Sequence, residues 1–301
     1  MNGKLKIAGL GEVLWDIYAD QRFPGGAPAN FAAHVSLAGH QGILLSRVGN
    51  DEIGYELLLE FEKFGVDVSL VQKDRKRPTG TVHVSVDERG IPSFECSNNV
   101  AFDYIQFDRN WKQAALDIDA VLFGTLAQRN EISKESIRDF LALAENATKI
   151  YDVNLRGWDD HIEEILEDSL YRADVLKMNH QELKMLKQAF DYHGDDVLFL
   201  RAILDEYVID MAAITLGARG SFCVTEDDYA EHPGFEVYVD DTTGAGDAFA
   251  AGLAIKYLQD ASLSEIAEFG NKLGALICTR TGAIPLWNSR DLEKINKIRT
   301  E

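Results

Sequence analysis

The chain has 301 residues, 46% of them hydrophobic and 27% charged, a composition that excludes a disordered or collagen-like protein and supplies enough apolar material for a large core. With 30 lysines and arginines against 50 aspartates and glutamates, the formal net charge is −20, which opposes nonspecific binding to nucleic acid or to an acidic membrane. A small anion can still bind, because helix N-termini hold phosphate in proteins of either charge.

The cysteines and the N-terminus indicate a reducing compartment. Cys96, Cys223 and Cys278 are odd in number and form no Cys-x-x-Cys pair, so we expect free thiols. No stretch approaches the roughly 18 consecutive apolar residues of a membrane-spanning helix, and the N-terminus shows no signal peptide. We therefore expect a cytoplasmic protein without membrane contact.

The first third of the chain mixes strands and helices with an alternating hairpin. In chain order the predicted elements are strands at 5–10 and 13–18, a turn at 23–28, a helix at 29–38, a strand at 44–49, a helix at 53–64 and a β-hairpin at 79–97. The hairpin has one polar face, so it would form a flap or a small second sheet.

From about residue 118 onward, strands and helices alternate. The predicted elements are strands at 120–124, 149–154, 175–179, 211–217, 220–224 and 235–239, and helices at 133–145, 160–171, 246–259 and 263–280. This alternation predicts one α/β domain, residues 1–301, with a large parallel sheet covered by helices on both faces. Ligands in such folds bind beyond the carboxyl ends of strands, where we find Asp16, Asn154, Asn179, Gly217 and the turn after Val239.

A loop near the C-terminal end carries the sharpest chemical signal. Residues 241–249 read Asp-Thr-Thr-Gly-Ala-Gly-Asp-Ala-Phe and lead into a predicted helix. A Gly-Ala-Gly loop before a helix lets backbone N–H groups and the helix dipole converge on an anion. Asp247 then has two interpretations: it caps the helix, or it takes the proton of a hydroxyl that attacks a bound phosphate.

Two common nucleotide motifs are missing from the sequence. The chain contains no G-x-x-x-x-G-K-[ST] loop, and residues 9–14, Gly-Leu-Gly-Glu-Val-Leu, lack the third glycine of a dinucleotide-binding motif. An oxidoreductase with a nicotinamide cofactor is therefore disfavoured.

Several motifs together resemble those of the PfkB family of carbohydrate kinases, also called ribokinase-like. Residues 241–249 resemble its C-terminal signature, and residues 25–32, Gly-Gly-Ala-Pro-Ala-Asn-Phe-Ala, resemble its N-terminal signature. Between them, residues 179–182 are similar to its Asn-x-x-Glu motif and residues 215–220 to its Thr-x-Gly-x-x-Gly nucleotide loop. The resemblance covers nearly the whole chain.

This resemblance implies a ribokinase-like three-layer αβα fold, with a mostly parallel central sheet and a small β-sheet lid from segments at about 12–23 and 79–101. In relatives the lid often pairs with a second subunit, so a homodimer is expected. Residues 11–16 and 152–156 look most like fructokinases, whereas residues 98–103 read Asn-Asn-Val-Ala-Phe-Asp in place of a fructokinase-like Arg-x-x-Gly-Ala-Asp.

The resemblance implies an ATP-dependent kinase that requires Mg²⁺ and phosphorylates a primary hydroxyl of a sugar, with D-fructose as the expected substrate. The expected catalytic residues are the base Asp247 and the anion hole formed by Gly244, Ala245 and Gly246. The expected substrate contacts are Asp16, Gly26, Asn30, Asn154 and Arg156.

The resemblance likewise implies nucleotide and cation sites. The expected nucleotide contacts are Lys177, Asn179, Thr215, Gly217, Gly220, Asn271 and Gly274. Asn179 and Glu182 would organise Mg²⁺ through water, because Mg²⁺ keeps much of its hydration shell. Asp241 and Thr243 match two positions of a K⁺ site.

Alternatives stay open at this point. Lys177 could be a strand-edge charge and Glu182 a helix-terminal acid. The substrate could be 2-keto-3-deoxygluconate, ribose or a nucleoside, although Arg89 is the only cation at 79–103, which disfavours a sugar acid. A catalytically silent sugar or nucleotide sensor is a further alternative, and the intact loop with Asp247 disfavours it.

Overall fold

The computed structural model describes residues 3–19, 21–86, 92–155 and 157–295. Its strands are β1 (Lys6–Leu10), β2 (Leu14–Tyr18), β3 (Gln21–Gly25), β4 (Gln41–Leu45), β5 (Arg47–Gly49), β6 (Gln72–Asp74), β7 (Gly80–Val86), β8 (Pro92–Cys96), β9 (Ala120–Gly124), β10 (Thr148–Asp152), β11 (Val175–Asn179), β12 (Met211–Thr215), β13 (Ser221–Val224) and β14 (Tyr229–His232). Its helices are α1 (Ala27–Leu37), α2 (Glu52–Lys63), α3 (Arg109–Ala115), α4 (Glu131–Leu143), α5 (Asp160–Leu170), α6 (His180–Ala189), α7 (Asp196–Tyr207), α8 (Ala245–Tyr257), α9 (Leu263–Cys278) and α10 (Ser289–Ile295).

Eight strands form the central sheet, in the order β14-β13-β12-β11-β10-β9-β1-β4. The strands from β12 to β4 run parallel, whereas β13 and β14 are antiparallel additions at one edge. Every residue of β9 is buried, as expected for a parallel strand covered on both faces. The predicted mostly parallel sheet is confirmed.

Alternate side chains of the strands pack into two separate hydrophobic cores, one on each face of the sheet. On one face, Val121 and Phe123 belong to a cluster with Trp111 of α3 and Phe140 of α4. On the other face, Leu122 belongs to a cluster with residues of α1, α8 and α9. Helices therefore cover the sheet on both sides, which confirms the predicted three-layer αβα arrangement.

Helix α1 packs very close to the sheet. A Cβ atom on Gly9 of β1 would lie 1.9 Å from the carbonyl oxygen of Pro28, and one on Gly42 of β4 would lie 2.0 Å from that of Ala32. No side chain fits into such a gap, so glycine is required at both positions. These contacts seat α1 directly on two neighbouring strands.

A second, four-stranded sheet has the order β3-β2-β7-β8, and we call it the lid sheet. Strands β2 and β7 are parallel, and each forms an antiparallel pair with an edge strand. Leu14 and Val82 pack on Val100 and Phe102, in and just before a 3₁₀ helix at Ala101–Tyr104. In register, Asp16 of β2 pairs with Val82 of β7, which pairs with Cys96 of β8. Neighbours in register point to the same face, so these three residues form one row.

Three element predictions are wrong. The strand expected at 235–239 does not form: Pro233 follows β14, Gly234 has φ +81°, and Phe235 and Val237 pack against the helical cluster of α9 instead of pairing. The turn expected at 23–28 begins as strand β3, because its first residues pair with β2. The strand expected at 44–49 divides at Ser46 into β4 and β5, which belong to different sheets. The turn of the predicted hairpin, 87–91, lies outside the described residues.

Among the helices of the described ranges, none combines the length and the apolar character that a membrane crossing requires.

Candidate functional site

A cavity of about 860 Å³ lies where the carboxyl ends of β10, β11 and β12 face the lid sheet. This is the edge at which ligands bind in folds of this type. Residues predicted for the site come to its wall from widely separated parts of the chain. They are Asp16, Gly26, Asn30, Asn154, Lys177, Asn179, Glu182, Thr215, Gly217, Thr243, Gly244, Gly246 and Asp247.

Other predicted residues lie behind the wall. Asn271 donates to the hydroxyl of Ser221 on β13 at 2.6 Å, and Gly274 packs next to the carbonyl oxygen of Ala245. Gly220 closes a turn beside His232, where its φ of +85° and the space available both require glycine. Asp241 lies just before the turn at Thr243 and Gly244. Arg156 lies outside the described residues.

The first turns of two helices, α1 and α8, meet at Asp247. The Asp247 carboxylate, in the first turn of α8, accepts a hydrogen bond of 2.8 Å from the side-chain amide of Asn30 on α1. Gly244 precedes α8 with φ +78°, and a Cβ there would lie 2.2 Å from the carbonyl oxygen of Ala283. Gly26 precedes α1 with φ +106°, and a Cβ there would lie 2.5 Å from the carbonyl oxygen of Glu12. Both helix N-termini thus begin at glycines and present backbone N–H groups near one carboxylate.

Lys177 forms a buried ion pair behind the Gly-Ala-Gly loop. Its ammonium lies 2.9 and 3.0 Å from the two carboxylate oxygens of Asp152, the residue beside it in the sheet. Burial alone would lower the pKa of Lys177, but Asp152, Glu182 and Asp247 outweigh it and raise the pKa above its ordinary value. A Cβ on Gly246 would lie 3.3 Å from this ammonium. Lys177 is therefore a buried cation at the loop, and the strand-edge interpretation is wrong.

Asn179 and Glu182 form a capping box at the start of α6. Asn179 accepts from the backbone N–H of Gln181 and of Glu182, while Glu182 accepts from the N–H of Asn179 at 2.7 Å and of Leu155 at 3.1 Å. Burial and the nearby Asp152 raise the pKa of Glu182, and Lys177 opposes that rise. Glu182 is a helix-terminal acid, as one interpretation held, and it also lines the cavity, as a Mg²⁺ site would require.

Asp241 joins the loop to the segment after α9. One carboxylate oxygen accepts from the N–H and the hydroxyl of Thr243, and the other accepts from the N–H of Gly282 at 2.9 Å. Burial alone would raise the pKa of Asp241, but these hydrogen bonds lower it below its ordinary value. The carboxylate is therefore ionised at neutral pH, within two residues of Thr243 on the cavity wall.

His34 supports the same segment from α1. Its Nε2 lies 3.1 Å from the carbonyl oxygen of Ala283, which abuts Gly244. Burial lowers the pKa of His34 from 6.5 to about 4, so the ring is neutral at neutral pH and donates from Nε2.

The pKa of His34 predicts acid sensitivity. An unfolded chain takes up a proton at this histidine below its ordinary pKa of 6.5, whereas the folded chain takes it up only near pH 4, so stability falls as the pH drops through this window. We expect a loss of about 2 kcal/mol between pH 7 and pH 5 that is absent in His34→Gln. Urea denaturation at both pH values measures it, with the 82% exposed His193→Gln as the control. Equal pH dependence in all three proteins would contradict this.

The sequence reasoning missed several residues of the wall, among them Glu12, Cys96 and Arg129. Glu12 lies two residues after β1 and is 3% exposed, and the signal available in the sequence was an acid close behind an apolar strand. Arg129 follows a second 3₁₀ helix, at Leu126–Gln128 after β9, and nothing local distinguishes it from a surface arginine.

The chain is similar to known carbohydrate kinases along nearly its whole length. The model of the pfkB family carbohydrate kinases matches residues 11–290. A sugar kinase from Pyrococcus horikoshii is 31% identical, over 97% of this chain and 95% of its own length. Fructokinase-1 from Zea mays is also 31% identical, over 87% of this chain and 84% of its own length.

Solved structures agree with these matches. The P. horikoshii sugar kinase in complex with ATP superposes with a TM-score of 0.83 at 28% identity, covering 96% of this chain and 99% of that chain. Fructokinase from Vibrio cholerae, solved with fructose, ADP and calcium ion, gives a TM-score of 0.80 at 25% identity, covering 97% and 98%. With the match to the family model over nearly the whole chain, these relatives show that this protein belongs to the PfkB family of carbohydrate kinases.

Proposed function

We propose that this kinase transfers the γ-phosphoryl group of ATP to a primary hydroxyl of a sugar, with D-fructose as the first candidate. One observation carries the proposal: the Asp247 carboxylate stands between the anion loop and the lid-side cavity, and Asn30 of the substrate-side helix orients it. The fructokinases of Zea mays and V. cholerae among its relatives support the choice of sugar.

In this mechanism Asp247 is the general base. Its carboxylate takes the proton of the sugar hydroxyl as that oxygen bonds to the γ-phosphorus, and the bond from the γ-phosphorus to the ADP oxygen breaks. The backbone N–H groups of Gly244, Ala245 and Gly246 would stabilise the charge on the transferring group. Gly244 packs on Ala283, which fixes the loop, and the N–H of Ala245 would exchange its 3.3 Å hydrogen bond to the carbonyl oxygen of Thr242 for one to the transferring group.

The sugar would lie between the lid sheet and α1. Asp16, Gly26, Asn30 and Asn154 line this end of the cavity and offer acceptors and donors to several hydroxyls, and Arg156 remains a predicted contact. A Cβ on Gly25 would lie 2.3 Å from the Asp16 carboxylate, so the bare backbone leaves that carboxylate room. A closed lid would also exclude water, the competing acceptor of the phosphoryl group.

The nucleotide would occupy the other end of the cavity. Lys177, Asn179, Thr215 and Gly217 are on that part of the wall, and Lys177 supplies a buried positive charge for phosphate. Gly220, Asn271 and Gly274 would act from behind the wall, by shaping the turn and the helix that border the nucleotide.

The residues present fit Mg²⁺ and K⁺. Among the described residues, no cluster of three or more His, Cys, Asp or Glu side chains could hold a metal directly, and the Asn179 and Glu182 side chains are occupied by the capping box. Each Glu182 oxygen accepts one hydrogen bond and keeps a lone pair for a water molecule on a hydrated Mg²⁺, whereas the Asn179 oxygen already accepts two and would act by positioning Glu182. Mg²⁺ would neutralise charge on the ATP phosphates when bound. The ionised Asp241 and neighbouring Thr243 suit K⁺.

A coupled assay of ADP release tests the proposal. With Mg²⁺, K⁺ and ATP, we expect fructose to give the highest kcat/KM in a panel with ribose, tagatose, 2-keto-3-deoxygluconate and adenosine. A different preferred sugar would remove the fructokinase assignment and keep the kinase. If no compound is phosphorylated while ATP still binds by calorimetry, the protein is a sensor, as the alternative interpretation requires.

A further inference from the structure

Arg129 lies at the end of the cavity-facing row of the lid sheet. The row runs from Asp16 through Val82 to Cys96, and all three residues line the cavity. Strands in a sheet are about 4.8 Å apart, so the row spans roughly 10 Å. The Nη1 atom of Arg129 lies 3.2 Å from the Cys96 Sγ. A sugar held by Asp16 and lying under Val82 would therefore reach towards Arg129.

Asp103 occupies most of the Arg129 guanidinium. Arg129 donates from Nε to one Asp103 oxygen at 2.6 Å and from Nη2 to the other at 3.0 Å, a bidentate pair. Nη2 also donates to the carbonyl oxygen of Ser97 at 2.5 Å, and the guanidinium stacks over Phe102 at 4.8 Å. Nη1 donates one N–H to the Cys96 sulfur, so of the five N–H groups of the guanidinium one, on Nη1, has no partner among the described residues and is available to a ligand.

The charge of the pair is balanced. The Asp103 side chain is 4% exposed and that of Arg129 is 19% exposed, so water screens their attraction little. Lys177, the other Lys or Arg on the wall among the described residues, is neutralised in the same way by Asp152. Glu12, Asp16 and Asp247 are acids on this wall. Among the described residues of the wall, a carboxylate on the substrate would meet the repulsion of these acids, and each lysine or arginine there already has a carboxylate partner.

We propose that Asp103 and Arg129 form a charge filter, which presents one N–H to a neutral sugar hydroxyl and rejects a sugar that carries a carboxylate. The inference deepens the proposed function and rests on it, since it assigns the substrate class of the same site. Arg129 is also a cation at the lid that the sequence of residues 79–103 does not contain, because it reaches Cys96 and Ser97 from the segment after β9.

Two variants test the filter through opposite shifts. The measured quantity is kcat/KM for 2-keto-3-deoxygluconate divided by kcat/KM for fructose. Each variant's ratio is compared with the wild-type ratio, so differences between the two compounds that do not involve the substituted residue cancel. In Asp103→Asn the guanidinium loses its counter-charge, and we expect the ratio to rise about tenfold or more. In Arg129→Gln the Asp103 charge is left unpaired, so the ratio should fall. The double variant should lie near the wild type.

Arg129→Gln should also separate binding from chemistry. We expect its KM for fructose to rise about tenfold, while kcat and the KM for ATP change by less than about threefold, because the contact is made equally in the ground and transition states. Arg129→Lys should recover part of this loss, since lysine keeps the charge but not the bidentate fork. A general loss of structure would instead raise both KM values and lower kcat.

Asp74→Asn is the matched control. Asp74 is 2% exposed and pairs with Arg47 at 2.9 Å, but it is not on the cavity wall, so its removal should leave the ratio unchanged. A wild type that prefers the acid, or variants that shift the ratio in the same direction or by less than twofold, would overturn the charge filter and leave the kinase in place. If no sugar is phosphorylated, the proposed function fails, and the same ratio taken from calorimetric Kd values decides the filter by itself.

Discussion

Asp247→Asn is expected to lower kcat by about 10³-fold or more, because an amide keeps the size of the carboxylate but cannot take a proton from the sugar hydroxyl. The Asn30 amide can still donate to the new side-chain oxygen, so the geometry at the start of α8 should be retained. We therefore expect the KM values for sugar and ATP to change by less than about threefold. Steady-state ADP release gives kcat, and calorimetry gives the affinity for both ligands.

Asp195→Asn is a suitable control for that variant. Asp195 also lies at a helix N-terminus, where it accepts from Val197 and Leu198, and it is not on the cavity wall, so activity should be retained. A fall in kcat of less than tenfold for Asp247→Asn would show that another group is the base. Glu12 and Asp16, the other acids near the sugar end, would then be tested in the same way.

Lys177→Met is expected to damage stability and activity together. It leaves the Asp152 carboxylate, 1% exposed, without its cation, and breaking a buried ion pair in this way costs about 3–5 kcal/mol. It also removes the positive charge next to Gly246, so the KM for ATP should rise by about tenfold or more. Thermal or urea unfolding and the ATP dependence of the rate measure the two effects.

The double variant Lys177→Met with Asp152→Asn separates those effects. With the unpaired charge removed, stability should return to within about 1 kcal/mol of the wild type, while ATP binding should stay weak. Recovery of ATP binding along with stability would mean that Lys177 only balances Asp152 and does not contact the nucleotide. If the double variant is as unstable as Lys177→Met, the unpaired Asp152 charge is not the cause of the lost stability.

The local motifs of the sequence predicted most of the central fold and much of the site. Strand and helix periodicity located β1, β9, β11 and most helices, because parallel strands are short apolar runs. The Gly-Ala-Gly loop indicated Asp247 because glycines before a helix let backbone N–H groups converge on an anion. The strand prediction at 235–239 was wrong because the alternating apolar residues pack on a helix. Periodicity alone does not distinguish such packing from pairing in a sheet.

Contacts between distant parts of the chain could not be predicted from the sequence. Asn30 and Asp247 are 217 positions apart, and only their shared motifs suggested a common site. The pairing of Lys177 with Asp152 depends on the register of β10 and β11, which neither strand specifies alone. Arg129 reaches Asp103 and Cys96 through the folding of two 3₁₀ helices, and no periodicity encodes that approach. The homodimer through the lid and the contact from Arg156 remain predictions.

The glycine seat of α1 has a consequence for how new substrates could arise in this scaffold. With Gly9 and Gly42 in direct contact with its backbone, α1 has no freedom to shift, and Asn30 keeps its place beside Asp247. In the facing row of the lid sheet, Val82 and Cys96 line the cavity as ordinary strand residues, and the backbone does not require glycine at either position. Evolution or design can therefore vary the sugar-facing surface there while the catalytic geometry is inherited unchanged.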